Sequence, residues 1–157
     1  MRGRERLEAY LREQGVRYEV TPHPEAYTAQ EIAAVEHVPG RQFAKVVIAD
    51  VDGQQVMLVL PAASRVDLVR LRVALGAKVA RLAREEEFAA KFPDCETGAM
   101  PPFGNLYGMP VYMDRRLHEQ PRVVFNACSH RETISLATAD YVRLAGPKVI
   151  EFTVPHA

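Results

Sequence analysis

The chain has 157 residues, enough for one domain with a real core and too few for two of ordinary size. Hydrophobic residues make up 48% and charged residues 25%, a globular balance that excludes a disordered or fibrous chain. Lys plus Arg and Asp plus Glu each total 20, so no global field draws the chain to nucleic acid or membrane, and a polyanionic partner would have to meet a local patch.

The opening MRGRERLEAY lacks an apolar signal core, and no run approaches the ~18 apolar residues of a spanning helix, so a cytoplasmic protein without membrane contact is expected. Residues 4–14 place Leu7, Tyr10 and Leu11 on one helical face, with Gly15 as the stop. VRYEV predicts a short strand leading into the proline-flanked turn TPHPEAY. Thr28 and Glu31 have capping-box spacing for a helix to about Val35, which the turn VPG ends. FAKVVIAD, the pair Asp52-Gly53 and QQVMLVLP predict a β-hairpin with a type I′ turn. Ser64 is placed to cap a helix over residues 65–75, closed by Gly76. AKVARLA reads equally as strand or helix, while REEEFAAKF predicts a helix. Further on, MPVYMD, RVVFNA and TISLA predict strands, TADYVRLAG a capped helix and KVIEFT a final strand.

Hairpins and long crossovers both occur in this series, which predicts a single α+β domain over residues 1–157 with a mixed sheet. No glycine-rich nucleotide fingerprint runs from a strand into a helix.

Few residues carry recognisable chemistry. Cys95 and Cys128 are too few for a disulfide framework, and the five histidines lack metal-ligand spacing, so no metal or cofactor is expected. Cys128 and His130 invite a zinc or thiol-nucleophile reading, but no second cluster completes either site. Lys45 interrupts the apolar strand FAKVVIA and shares a face with Phe43 and Val47. It reads either as an edge-strand lysine snorkelling to water or as a cation at a pocket mouth, facing a phosphate or developing negative charge. Asn126, Ser129 and His130 in FNACSHRET fit a turn as well as they fit an active site. Arg65, Arg70, Arg72, Lys78, Arg81 and Arg84 form either a solvated face or a phosphate-binding patch.

The segment ETGAMPPFGNLYGMPVYMD is the strongest signal. Gly98, Gly104 and Gly108 alternate with Pro101, Pro102 and Pro110 inside thirteen residues, and enclose Met100, Phe103, Leu106 and Tyr107. Glycine opens backbone geometries that proline then fixes, so the stretch predicts a rigid, apolar loop suited to a pocket wall.

AKVV on an early strand, GAMPP followed by FG, GMPVYMD, and VVFNACSH ahead of ISLATADYVRL occur in one order. Together they resemble the YbaK/EbsC family of free-standing aminoacyl-tRNA deacylases, which is similar to the editing insertion domain of bacterial prolyl-tRNA synthetases. The likeness runs from about His23 to about Leu144. It implies a mixed, partly barrel-like sheet wrapped by helices and hydrolysis of the ester between a wrong, small amino acid and the tRNA 3′ end. The partners implied are the aminoacylated tRNA acceptor end and an aminoacyl-tRNA synthetase. The family's lysine falls on Lys45 and its G-x-x-x-P loop on residues 98–102. A ribose hydroxyl of the substrate stands in for a protein base. One departure is Cys128, where the family has glycine; a requirement for φ > 0 there would strain a cysteine.

On this reading Lys45 and the backbone of Gly98 and Ala99 act on the reacting group. Met100, Pro102, Phe103, Gly104, Asn126 and His130 are expected around the bound aminoacyl end. A non-catalytic binder of an aminoacyl end or nucleotide is the competing reading.

Overall fold

The amphipathic N-terminal segment forms helix α1 (Gly3–Glu13), which buries Leu7 and Leu11 and stops where Gly15 adopts φ 69°. The computed structural model describes residues 3–24, 26 and 28–155, so residues 25 and 27 of the expected turn TPHPEAY lie outside the described residues. Strand β1 (Tyr18–Pro22) and helix α2 (Ala29–Val35) flank that turn. Thr28 caps α2 as expected: its hydroxyl oxygen accepts from the Glu31 N–H at 3.0 Å and donates to the Glu31 carboxylate at 3.0 Å.

Strands β2 (Ala44–Val51) and β3 (Gln54–Pro61) form the predicted hairpin, with Asp52 at φ 50° and Gly53 at φ 85°. Those positive values are what a type I′ turn requires. The Asp52 carboxylate then accepts from the Lys78 and Val79 N–H groups, which leads the chain into β5 (Ala80–Leu82) beside β2. AKVARLA is thus a strand over its centre.

The helix expected over 65–75 begins later. Ser64 belongs to β4 (Ser64–Val66), and the cap of α3 (Leu68–Leu75) is Asp67, whose Oδ1 accepts from the Val69 and Arg70 N–H groups at 3.0 and 3.1 Å. Both residues are good caps; pairing of Ser64 with Pro155 across the sheet decides between them. REEEFAAKF gives only a short helix α4 (Glu85–Phe88) and a 3₁₀ turn (Ala89–Lys91).

Beyond the Gly/Pro segment come β6 (Val111–Asp114), an unpredicted short helix α5 (Arg115–His118), β7 (Arg122–Asn126), β8 (Glu132–Ala137) and α6 (Thr138–Ala145). Ala137 is the N-cap of α6 and makes no side-chain cap bond, so the helix is closed only at Gly146, φ 60°. KVIEFT breaks into β9 (Lys148–Ile150) and β10 (Thr153–Pro155). The break occurs because Phe152 turns fully into the core while its N–H donates to Asp114 Oδ1 at 3.3 Å.

The main sheet has strand order β5-β2-β3-β6-β9, antiparallel among the first three and parallel from β3 to β9. A second, antiparallel sheet runs β1-β8-β7, and β10 pairs with β4. A parallel bridge between Phe43 and Val124 joins the two larger sheets. The fold is α+β with a mixed sheet, as expected.

Alternation along β2 and β3 divides the core. Ala44, Ile48, Met57 and Val59 join α1, Phe103, Phe125 and Tyr141 on one side. Ala49, Val56, Leu58 and Leu60 pack on Leu71 and Phe152 on the other.

Candidate functional site

Lys45 lies in β2 opposite Leu60, on a strand interior to the main sheet. On its other side β2 pairs with β5 only over Ala49–Val51, so that ladder does not reach Lys45. The side chain is half-buried, and burial pushes its ammonium below the ordinary lysine value. Two residues past the Phe43–Val124 bridge, along each strand, stand Lys45 and Asn126. The parallel bridge thus brings the lysine strand alongside the strand that ends in the FNACSH turn. Asn126 is buried, and its Oδ1 has no hydrogen-bond partner among the described residues.

From Asn126 the chain turns through Cys128 and His130 and meets the front of the Gly/Pro segment. The Glu96 N–H donates to the Cys128 carbonyl at 2.9 Å, and the His130 N–H donates to Glu96 Oε2 at 2.9 Å. His130 Nε2 lies 2.9 Å from the Thr97 carbonyl. A carbonyl only accepts, so Nε2 is the donor in this contact. Cys128 has φ 68°, the left-handed geometry that glycine would adopt at less cost.

Gly98 then stands exposed over buried His130 at φ 85°. A Cβ there would lie 3.5 Å from His130 Cε1, an ordinary contact, so backbone conformation rather than crowding calls for glycine. The Ala99 N–H is already given to the Glu96 carbonyl at 3.0 Å. The N–H groups of Gly98 and Met100 have no hydrogen-bond acceptor among the described residues.

The remaining expected residues sit deeper. Met100 and Pro102 are buried, and the Pro102 carbonyl accepts from the Tyr141 hydroxyl at 2.6 Å. Phe103 is fully buried and meets Tyr10, Phe125 and Tyr141 edge-on, with centroids 6.2, 5.6 and 5.3 Å away. Gly104 is a packing glycine: a Cβ would fall 2.7 Å from Val111 Cγ2 and 2.9 Å from the Met109 carbonyl oxygen. Phe103 and Gly104 thus anchor the loop in the core. Apolar, rigid loop residues signal burial and pocket lining alike, which is why sequence alone does not separate the two.

Five further residues hold the site and carry no sequence motif. Glu96 and Thr97 orient His130 as described. On the far side of β8, Thr133 donates its hydroxyl to the Glu36 carboxylate at 2.7 and 2.9 Å, and His23 Nε2 lies 3.5 Å from Glu36 Oε2. Burial raises the Glu36 pKa above its ordinary value, against the lowering effects of Thr133 and His23. The His23 N–H donates to the Arg131 carbonyl at 2.8 Å, which ties the TPHPEAY segment to the residue after His130.

Half of the basic cluster of 65–84 is paired with carboxylates. Arg81 makes a two-pronged pair with Glu87 at 2.8 and 2.7 Å and reaches Asp50 at 3.3 Å. The hydrogen bonds from Arg81 draw the Glu87 carboxyl down to about 2. Arg84 pairs with Glu86 and Glu87, and Arg70 with Asp67. Arg65, Arg72 and Lys78 make no ion pair among the described residues.

The model of the aminoacyl-tRNA editing domain matches residues 23–144. Among curated proteins, the chain is 29% identical over 153 residues to the multifunctional Ser/Thr-tRNA deacylase ProXp-y of Escherichia coli strain K12, covering 94% of this chain and 91% of that one. It is 31% identical over 110 residues to the proline--tRNA ligase of Shouchella clausii strain KSM-K16, covering 70% of this chain and 19% of the ligase. A solved structure of a candidate trans-editing enzyme for prolyl tRNA synthetase shares the fold with a TM-score of 0.84, at 21% identity over 97% of each chain.

Proposed function

Since the chain belongs to the aminoacyl-tRNA editing domain family and is an aminoacyl-tRNA deacylase, we propose that it acts in trans, in the cytoplasm, on tRNA bearing a wrongly attached small amino acid. The observation that carries the site assignment is the exposed, left-handed Gly98 braced over His130, beside the end of the strand that pairs next to Lys45.

An aminoacyl ester is already activated, so hydrolysis needs a positioned water and stabilisation of the oxyanion rather than a protein nucleophile. The Gly98 N–H is the group placed to donate to that oxyanion or to the ester carbonyl. It is exposed, and its orientation is held by the His130–Thr97 hydrogen bond and the Ala99–Glu96 turn. Ala99 contributes by fixing this turn, not by offering its own N–H. One preorganised donor of this type is typically worth ~3 kcal/mol. The Lys45 ammonium, half-buried and so less screened than a surface charge, holds the terminal ribose or phosphate or offsets charge on the tetrahedral intermediate. Asn126 and His130 border the aminoacyl group, and Met100 lies behind them.

A small side chain is favoured by likeness to a protein named for Ser/Thr-tRNA. The segment shared with a proline--tRNA ligase supports a synthetase as the source of the charged tRNA. Deacylation assays on a panel of tRNAs mischarged with alanine, serine, threonine and cysteine test the class directly. Lys45→Ala should lower kcat/KM at least about 100-fold, as loss of a charge-stabilising group does, with an unchanged circular dichroism spectrum. Full activity in that variant would overturn the assignment.

A further inference from the structure

Cys95 and Cys128 lie 33 residues apart in sequence, yet they form a disulfide, with Cα atoms 4.3 Å apart. The bond joins the two segments that build the candidate site. Cys95 opens the run Glu96-Thr97-Gly98, and Cys128 stands two residues before His130. Between the same segments run the hydrogen bonds Glu96 N–H to Cys128 carbonyl, His130 N–H to Glu96 and His130 Nε2–H to Thr97 carbonyl, each 2.9 Å.

Cys128 occupies φ 68°, where a side chain with a Cβ is destabilised and glycine is not. A cysteine at a glycine-shaped position points to a use for its sulfur. Small molecules can approach the sulfurs, because Cys95, Cys128, Glu96, Ser129 and Gly3 line a cavity of about 450 Å³ that opens to solvent. The Tyr107 hydroxyl lies beside both sulfurs, 3.5 Å from Cys95 Sγ and 4.0 Å from Cys128 Sγ.

We propose that Cys95 and Cys128 are a reversible redox clamp on the candidate site: the disulfide locks the Gly98 loop against the His130 turn, and its reduction loosens the loop and lowers activity. Reducing compartments keep thiols reduced, so the clamp closes only under oxidising conditions. The oxidant is a low-molecular-weight disulfide. The Cys95 thiolate attacks one of its sulfurs, breaks its S–S bond and releases one small thiolate. The Cys128 thiolate then attacks Cys95 Sγ in the mixed disulfide and expels the second. Two electrons and the two cysteine protons pass to the small disulfide, which leaves as two thiols. A small dithiol reverses the sequence.

The inference rests on the deacylase reading only for its activity arm, so the test has three readouts. The full chain is equilibrated with oxidised glutathione or with dithiothreitol. Free thiols are then counted by mass after alkylation, amide exchange is followed at residues 96–100 and 128–130, and deacylation of mischarged tRNA is measured. The clamp predicts no free thiols and slow exchange when oxidised. When reduced it predicts two free thiols, exchange about tenfold faster in both segments, and kcat/KM several-fold lower, as local opening becomes easier. The double variant Cys95→Ser/Cys128→Ser should match the reduced protein in both buffers. Cys128→Gly, which removes the sulfur and the φ conflict together, should fold and lose all response to redox. Thiols that stay free in oxidised glutathione, or exchange that is the same in both states, would overturn the clamp. Redox-dependent exchange with no deacylation in either state would uphold the clamp and overturn the catalytic reading instead.

Discussion

Gly98 shows how much a single backbone conformation can decide. Its φ of 85° is closed to side chains, yet the space around it is not, since an added Cβ would only touch His130 at 3.5 Å. Gly98→Ala should therefore cost about 1 kcal/mol of stability, and the β-branched Gly98→Val more, with the loop shifting to relieve strain. A shifted loop re-aims the N–H, so deacylation by Gly98→Val should fall about 100-fold while thermal melting drops by only a few degrees. Lys45 makes a different prediction. Burial lowers its pKa, so between its folded value and the ordinary lysine value of about 10.4 the unfolded chain binds more protons than the folded one. Stability of the native protein should then rise with pH across that window. Lys45→Met removes the titration, so the melting temperature of the variant relative to the native protein should fall as pH rises from 7 towards about 10. A difference that stays flat with pH would show that Lys45 titrates normally.

At the level of elements, the ends of helices and strands were the least legible part. The hairpin of β2 and β3 was readable because local turn chemistry, Asp52-Gly53, and a period-two apolar pattern agree. The late start of α3 was not, because Ser64 and Asp67 are both sound caps and a non-local pairing of β4 with β10 selects Asp67. Asp114 is another product of such long-range wiring. Almost fully buried, it caps α5 through the Arg116 N–H at 3.2 Å and receives the Phe152 N–H at 3.3 Å. Asp114→Ala leaves a buried N–H unpaired and removes a cap, and should cost about 2–4 kcal/mol in denaturant unfolding. Gly104→Ala should cost about 1–3 kcal/mol, because the Cβ collides with Val111 and the Met109 backbone. Deacylation by the Gly104 variant should stay near normal wherever it remains folded, since Gly104 braces the loop from below.

For the molecule as a whole, balanced charge sets the mode of tRNA binding. Positive and negative side chains each total 20, and the most basic stretch spends much of its charge on internal pairs between Arg81, Arg84 and their acidic neighbours. With no net positive charge, affinity for aminoacyl-tRNA should show a shallow salt dependence, equivalent to about one to three phosphate contacts. Titrations between 50 and 200 mM salt measure the slope. A steep slope, of about six contacts or more, would mean that a wider basic face is engaged.

Local physics was enough for the hairpin and the caps at Thr28 and Gly76, because each depends on neighbours within a few residues. Motif order made Lys45 and Gly98 candidates for the site. Only the tertiary structure separated Gly98, exposed over His130, from Phe103 and Gly104, which the same loop sinks into the core. Only it paired Cys95 with Cys128, and joined His23, Glu36 and Thr133 behind the site. These are contacts across 13 to 97 residues of chain. Packing creates them, and no pattern of neighbouring residues records them.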